Sequence, residues 1–104
     1  MNHTILRTDK FDEELFNIIY YIAASSHSKE IALNYLSEIE EATEVLKTFP
    51  QAGVVPKNRT LSRQGFRALV VAKHHMIFYK VNNNQEVILY HIVDIRRNYI
   101  KLVR

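Results

Sequence analysis

Cysteine is absent from the 104 residues, which excludes disulfides, thiolate metal sites and thiol nucleophiles. A chain without cysteine suits a reducing cytosol, so a cytoplasmic location is expected. Only two glycines and two prolines occur, so there is no Gly-rich phosphate loop, and composition does not predict extended disorder. No apolar run reaches the length needed to cross a bilayer. Charges at Arg7, Asp9 and Lys10 come too early for a signal peptide, so no membrane partner is expected. At this length we expect a single domain over residues 1–104 with one core, burying about two-thirds of the unfolded surface.

Charge is present but unevenly placed. Residues 1–52 hold four Lys or Arg against nine Asp or Glu, whereas residues 53–104 hold ten against two. A basic second half suits an anion, a nucleic acid or an acidic protein. Equally, acidic helix faces and basic loops produce the same split without any partner.

The stretch 65–99 holds three apolar runs rich in β-branched and aromatic residues, Phe66–Ala72, Met76–Val81 and Val87–Ile95. Short runs of this kind bounded by turn residues predict strands. Asn82-Asn83-Asn84 is a strong turn signal because asparagine tolerates positive φ and bonds its own backbone. Lys73-His74 is a weaker one. Upstream, residues 2–7 suit a short strand, and Thr8 or Asp9 suits a helix cap. Phe11, Leu15, Ile18, Ile19 and Ile22 follow helical spacing to about Ala24. Ser28 can cap a second helix over Lys29–Lys47, with Ala32, Tyr35, Leu36, Ile39, Ala42, Val45 and Leu46 as its apolar stripe.

The predicted order is strand, helix, helix, strand, strand, strand. This is an α+β fold with a helical hairpin packed on one face of a small, mostly antiparallel sheet. Residue parity places Ile77, Tyr79 and Val81 against the helices. It leaves Met76, Phe78 and Lys80 outward, beside Arg67 or Phe66. A five-residue connection sets His91 opposite Ile77, with His75 as a diagonal neighbour. Tyr20, Tyr21, Tyr35, Tyr79 and Tyr90 are expected to pack with their hydroxyls reaching water or backbone.

In this order and spacing the chain resembles the RelE/ParE superfamily of type II toxins. The residues that carry the resemblance are the hairpin, Phe49-Pro50-x-x-Gly53, Gly65-Phe66-Arg67, Ile77-Phe78-Tyr79-Lys80-Val81 and His91-Ile92-Val93-Asp94-x-Arg96-Arg97. The resemblance implies a bacterial growth inhibitor neutralised by a cognate antitoxin, with a homodimer or a toxin–antitoxin heterotetramer as possible assemblies. ParE-like members poison DNA gyrase by binding and are not enzymes. RelE-like members enter the ribosome and cut mRNA. The long hairpin and the Phe-Pro-x-x-Gly turn resemble the ParE branch more closely, and a non-toxic binding module is a third alternative.

Metal-free RNA cleavage needs a base for the 2′-hydroxyl, an acid for the leaving oxygen and cations for the phosphate. In the ribosome-dependent nucleases an arginine commonly stands just before the third strand's apolar run. That place is taken here by Met76, with His75 beside it. If the chain is a nuclease, its catalytic set is sought among Arg67, His75, His91, Arg96 and Tyr99. If it acts by binding, the expected contact residues are Arg67, Met76, Phe78, Lys80, Arg96, Arg97 and Tyr99, with the cationic end of the sheet free. No cofactor is implied, and His75 with His91 lacks the further ligands of a zinc site.

Overall fold

A computed structural model describes residues 2–97. Tyr99 and the rest of the tail lie outside the described residues. The chain forms β1 (Thr4–Arg7), α1 (Asp9–Ser26), α2 (Lys29–Thr48), α3 (Arg59–Arg63), β2 (Arg67–Val71), β3 (His75–Val81) and β4 (Glu86–Asp94). The four strands make one sheet in the order β1-β4-β3-β2. β1 runs parallel to β4, and the other two pairings are antiparallel.

The helix boundaries follow from side-chain caps. The Thr8 hydroxyl accepts from the Phe11 N–H at 3.0 Å and opens α1. His27 closes it with a left-handed backbone, φ 54°. The Ser28 hydroxyl accepts from the Ile31 N–H at 3.2 Å and starts α2. Each cap satisfies a backbone donor that the first helical turn leaves free.

Between the hairpin and the sheet lies the larger core. Phe11 and Leu15 from α1 and Ile39 and Leu46 from α2 meet Ile77, Tyr79, Val87, Leu89 and Ile92. Ile77 and Tyr79 therefore face the helices, as parity predicts, but Val81 ends its strand exposed. Val45 leaves the expected stripe of α2 and is exposed, as are Tyr20 and Tyr21 on α1. Tyr20 instead stacks on Phe16 at the surface, ring centroids 6.1 Å apart.

A second core sits on the opposite face, where sequence parity places only outward residues. Leu61, Phe66, Ala68, Phe78 and Val93 pack there, with Met76 and Tyr90 at the margin. Leu61 comes from α3, a single turn capped by the Asn58 side chain, whose Oδ1 accepts from the Leu61 N–H at 3.1 Å. Phe78 is 0% exposed, so it is a core residue with no surface to offer a target. The sheet is covered on both sides, by a hairpin on one and by α3 on the other.

The two tight connections use different chemistry. Ala72 and Lys73 both take positive φ, 50° and 68°, the conformation that matches strand twist in short hairpins. In the second connection it is Gln85, φ 60°, that turns left-handed. Asn82 acts through its side chain, accepting from the Asn84 and Glu86 N–H groups at 2.9 and 3.1 Å.

Register also departs from simple counting. Phe78 pairs with His91 and Tyr79 with Leu89, so Tyr90 is an additional residue in β4. This β-bulge shifts His91 from its expected partner Ile77 to Phe78. The Glu14 carboxylate of α1 reaches the irregularity, accepting from the Ile92 N–H at 3.3 Å and lying 3.2 Å from His91 Nδ1.

Candidate functional site

Tyr79 organises the turn after α2. Its hydroxyl donates to the Pro50 carbonyl at 2.8 Å and accepts from the Gly53 N–H at 2.9 Å. Arg67 Nη1 donates to the Gly53 carbonyl at 2.9 Å. Burial pushes the Tyr79 phenol above its ordinary pKa, so it remains a neutral donor. The Phe49-Pro50-x-x-Gly53 signature is thus the outer half of a clamp whose inner half is a core tyrosine. Arg67, opposite Tyr79 on the helix-facing side of the sheet, belongs to that clamp and does not stand beside Met76.

At the other end of β3 a cleft of about 880 Å³ opens between the hairpin and the strand ends. Ile18, Ile22 and Tyr21 of α1, Tyr35 of α2, and His75, Asp94, Arg96 and Arg97 line it. His75 opens β3 with its ring turned under the helices, hydrogen-bonded through Nδ1 to the Tyr35 hydroxyl. Tyr35 also lies 3.3 Å from the Ala72 carbonyl. A carbonyl only accepts, so both contacts are satisfied together when Tyr35 donates to Ala72 and His75 donates from Nδ1–H. Burial lowers the His75 pKa, with Arg96 and His74 adding and Asp94 opposing. Burial, aided by Asp94 and Glu38, raises that of Tyr35. Both groups are therefore neutral at physiological pH.

Arg96 is fixed by Asp94 through Nε to Oδ1 at 3.0 Å and Nη2 to Oδ2 at 2.8 Å. The fork bond holds the Asp94 carboxyl well below the usual range and raises the guanidinium in turn. Arg97 is exposed at the same corner.

The residues expected to act together are brought together only in part. His75, Arg96 and Arg97 share the cleft, whereas Arg67 stands four residues up β3, about 13 Å away at 3.3 Å per residue. A single cationic end holding Arg67, Arg96 and Arg97 does not form. His91 is tied to Glu14. Met76 and Lys80 lie on the second face with Phe78 buried between them, and Tyr99 lies outside the described residues. Lys80 places its ammonium over the Phe66 and Tyr90 rings, 4.6 and 5.1 Å from their centroids.

The sequence from residue 5 to residue 99 matches the family described as the ParE toxin of type II toxin–antitoxin system, parDE. The chain belongs to this family. Comparison with curated proteins gives no match. Among solved structures the ParE-family chain is similar to a chain of the chromosomal ParDE system from P. aeruginosa. The identity is 18%, with 90% of this chain and 97% of that one covered and a TM-score of 0.74. It is also similar to a chain of the RelBE2 toxin–antitoxin complex from Mycobacterium tuberculosis. There the identity is 16%, the coverage 90% and 99%, and the TM-score 0.61. At these identities the likeness is one of fold.

Two parts of this ParE-family site leave little trace in the sequence. α3 carries one core side chain, which is too little for a periodic signal, although Asn58 three residues before Leu61 is a cap-like spacing. The Tyr79 clamp joins residues 26 apart, and no local pattern reports it.

The buried imidazole makes a testable difference to stability. His75 resists protonation when folded but takes up a proton near pH 6.5 when unfolded. The unfolded state therefore binds more protons from about pH 6.5 down to the lowered folded value, and stability falls as the solution is acidified through that window. In urea titrations at pH 7.5 and 5, His75→Gln should lose less stability on acidification than the wild type. Identical losses would show that His75 does not carry the effect.

Proposed function

We propose that the chain is the toxin of a type II toxin–antitoxin pair and inhibits growth by binding DNA gyrase and trapping its cleaved-DNA complex. The observation that carries this reading is the start of β3. Met76 occupies the place of a phosphate-binding cation, and the neighbouring His75 is turned beneath the hairpin to Tyr35. Methionine neither moves a proton nor stabilises phosphate charge, so this face is suited to binding and offers no acid–base pair.

The partner is a cognate antitoxin whose segment covers exposed apolar surface of the toxin as a helix or an added strand. Met76, Lys80, Arg67, Arg96, Arg97 and Tyr99 remain the proposed contact residues for target or antitoxin. A ribosome-dependent endoribonuclease is the second reading. It is favoured by His75 and Arg96 sharing one cleft.

Purified chain added to gyrase and supercoiled plasmid should accumulate linear, protein-linked DNA in proportion to its concentration. Relaxation and supercoiling that proceed without cleaved product at saturating chain would overturn the gyrase reading.

A further inference from the structure

The molecule is electrically two-sided. α1 and α2 carry nine Asp or Glu against three Lys. From Phe49 to Arg97 there are eight Lys or Arg against Glu86 and Asp94. Of those two carboxylates, Asp94 is taken by Arg96 and Glu86 by the Asn82 amide at 2.7 Å. Of the eight cations only Arg96 is ion-paired among the described residues; the other seven, Lys57, Arg59, Arg63 and Lys80 among them, are not.

α3 determines where three of them point. Leu61 is driven into the second core, 1% exposed. At about 100° per residue, positions two before and two after it lie on the far side of the turn. Arg59 and Arg63 are therefore both exposed, with Lys57 just before them. Lys80 emerges from the same side of the sheet over Phe66 and Tyr90.

The kind of ligand follows from what this face lacks. Protein partners are anchored mainly by buried aromatic side chains, but Leu61, Phe66 and Phe78 are already in the core, and the exposed apolar side chains nearby, Val54, Val55 and Val70, are small valines. Single-stranded nucleic acid needs free aromatic faces for stacking, but Lys80 covers the Phe66 and Tyr90 rings. What remains is three exposed cations, Lys57, Arg59 and Arg63, around α3, with the half-buried Lys80 beside them, an array that suits the regularly spaced phosphates of a duplex.

We infer that the α3 face binds the phosphate backbone of duplex DNA through Lys57, Arg59, Arg63 and Lys80. This deepens the gyrase reading, and rests on it for the choice of DNA as the duplex met in the cell. The α3 end of this face engages the DNA of the trapped complex, and its Met76 end, with the Arg96–Arg97 corner, is left for the enzyme.

The test is fluorescence anisotropy of the purified chain on a random-sequence 20-base-pair duplex between 50 and 200 mM salt. Four phosphate contacts at about 0.9 each predict a log–log slope near −3.6, or roughly a 150-fold loss of affinity across that range. The variant carrying Lys57→Gln, Arg59→Gln and Arg63→Gln should keep its circular dichroism spectrum and show a slope near −0.9. Lys10→Gln with Lys29→Gln, on the hairpin, should bind as the wild type does. A flat wild-type slope, an unchanged slope in the triple variant, or tighter binding to single-stranded RNA of equal length would each overturn the inference. Duplex binding of the expected kind without effect on gyrase would leave this surface standing and remove the gyrase reading. Gyrase poisoning by a chain that does not bind duplex would do the reverse.

Discussion

Phe78→Ala is expected to cost about 3–5 kcal/mol of folding stability, the range for truncating a fully buried phenylalanine. Phe78 stands at the centre of the second core, edge-on to Phe66 with centroids 6.1 Å apart, and Leu61 packs within the same cluster. Its removal opens a cavity between α3 and the sheet that neither can collapse to fill, because Phe66 also supports Tyr90, edge-on at 5.5 Å. Urea denaturation of the variant measures the loss. If Phe78 were an outward contact residue, as strand parity alone predicts, the change would stay within about 0.5 kcal/mol. Leu61→Ala should also destabilise, since it removes the only core side chain that α3 contributes.

Gly53→Ala should be the second most damaging change. A Cβ at that position would stand 2.7 Å from the Tyr79 hydroxyl and 2.8 Å from the Ala68 carbonyl oxygen. The tyrosine can shift, but the carbonyl cannot. It belongs to the bridge in which Val54 and Ala68 exchange hydrogen bonds of 2.9 and 2.8 Å. Making room therefore separates Val54 from β2 and breaks the bonds from Tyr79 to Gly53 and Pro50. Overpacking of this kind costs about 1–3 kcal/mol, and an orphaned buried donor adds a further 1–3 kcal/mol or so. Tyr79→Phe should reproduce the second part without the first. If Gly53→Ala and Tyr79→Phe cost the same in urea melts, space at Gly53 is not the constraint. If Gly53→Ala is neutral, the clamp does not hold the turn.

These two changes mark where the sequence was readable and where it was not. Thr8 and Ser28 announce α1 and α2 because a cap works through its own side chain, three residues from its partner. The apolar spacing of the hairpin and the short strands are local in the same sense. α3 is too short to show a period, and its core residue sits between Arg59 and Arg63, so the segment looks like a basic loop. The sheet consequently seems to have one free face, and Phe78 seems to be on it. Tyr90 at the bulge adds one residue to β4 that counting from the turn cannot detect, which displaces His91 by one partner. Tyr20 and Tyr21 flank the buried stripe of α1, and hydropathy alone does not distinguish an exposed aromatic from a packed one.

The candidate site divides along the same line. His75 and Asp94 are the paired ends of β3 and β4, and Arg96 and Arg97 follow Asp94 directly, so their shared cleft follows from the meander. Arg67 joins that set only through the resemblance, as the basic residue of Gly65-Phe66-Arg67. Its actual partner is the Gly53 carbonyl, a contact set by the clamp and invisible to composition. Among the described residues, His75, Tyr35, Arg96 and Arg97 do share one cleft, but His75 is hydrogen-bonded to Tyr35 and Arg96 is forked onto Asp94. The proposal of binding without cleavage takes these groups to be engaged with one another.

That claim is tested most directly on mRNA. Ribosomes paused with a defined codon in the A site, saturated with the purified chain and probed by primer extension, should yield full-length message and no new 5′ ends. New ends at the A-site codon that disappear in Arg96→Ala would contradict it and make the chain a nuclease.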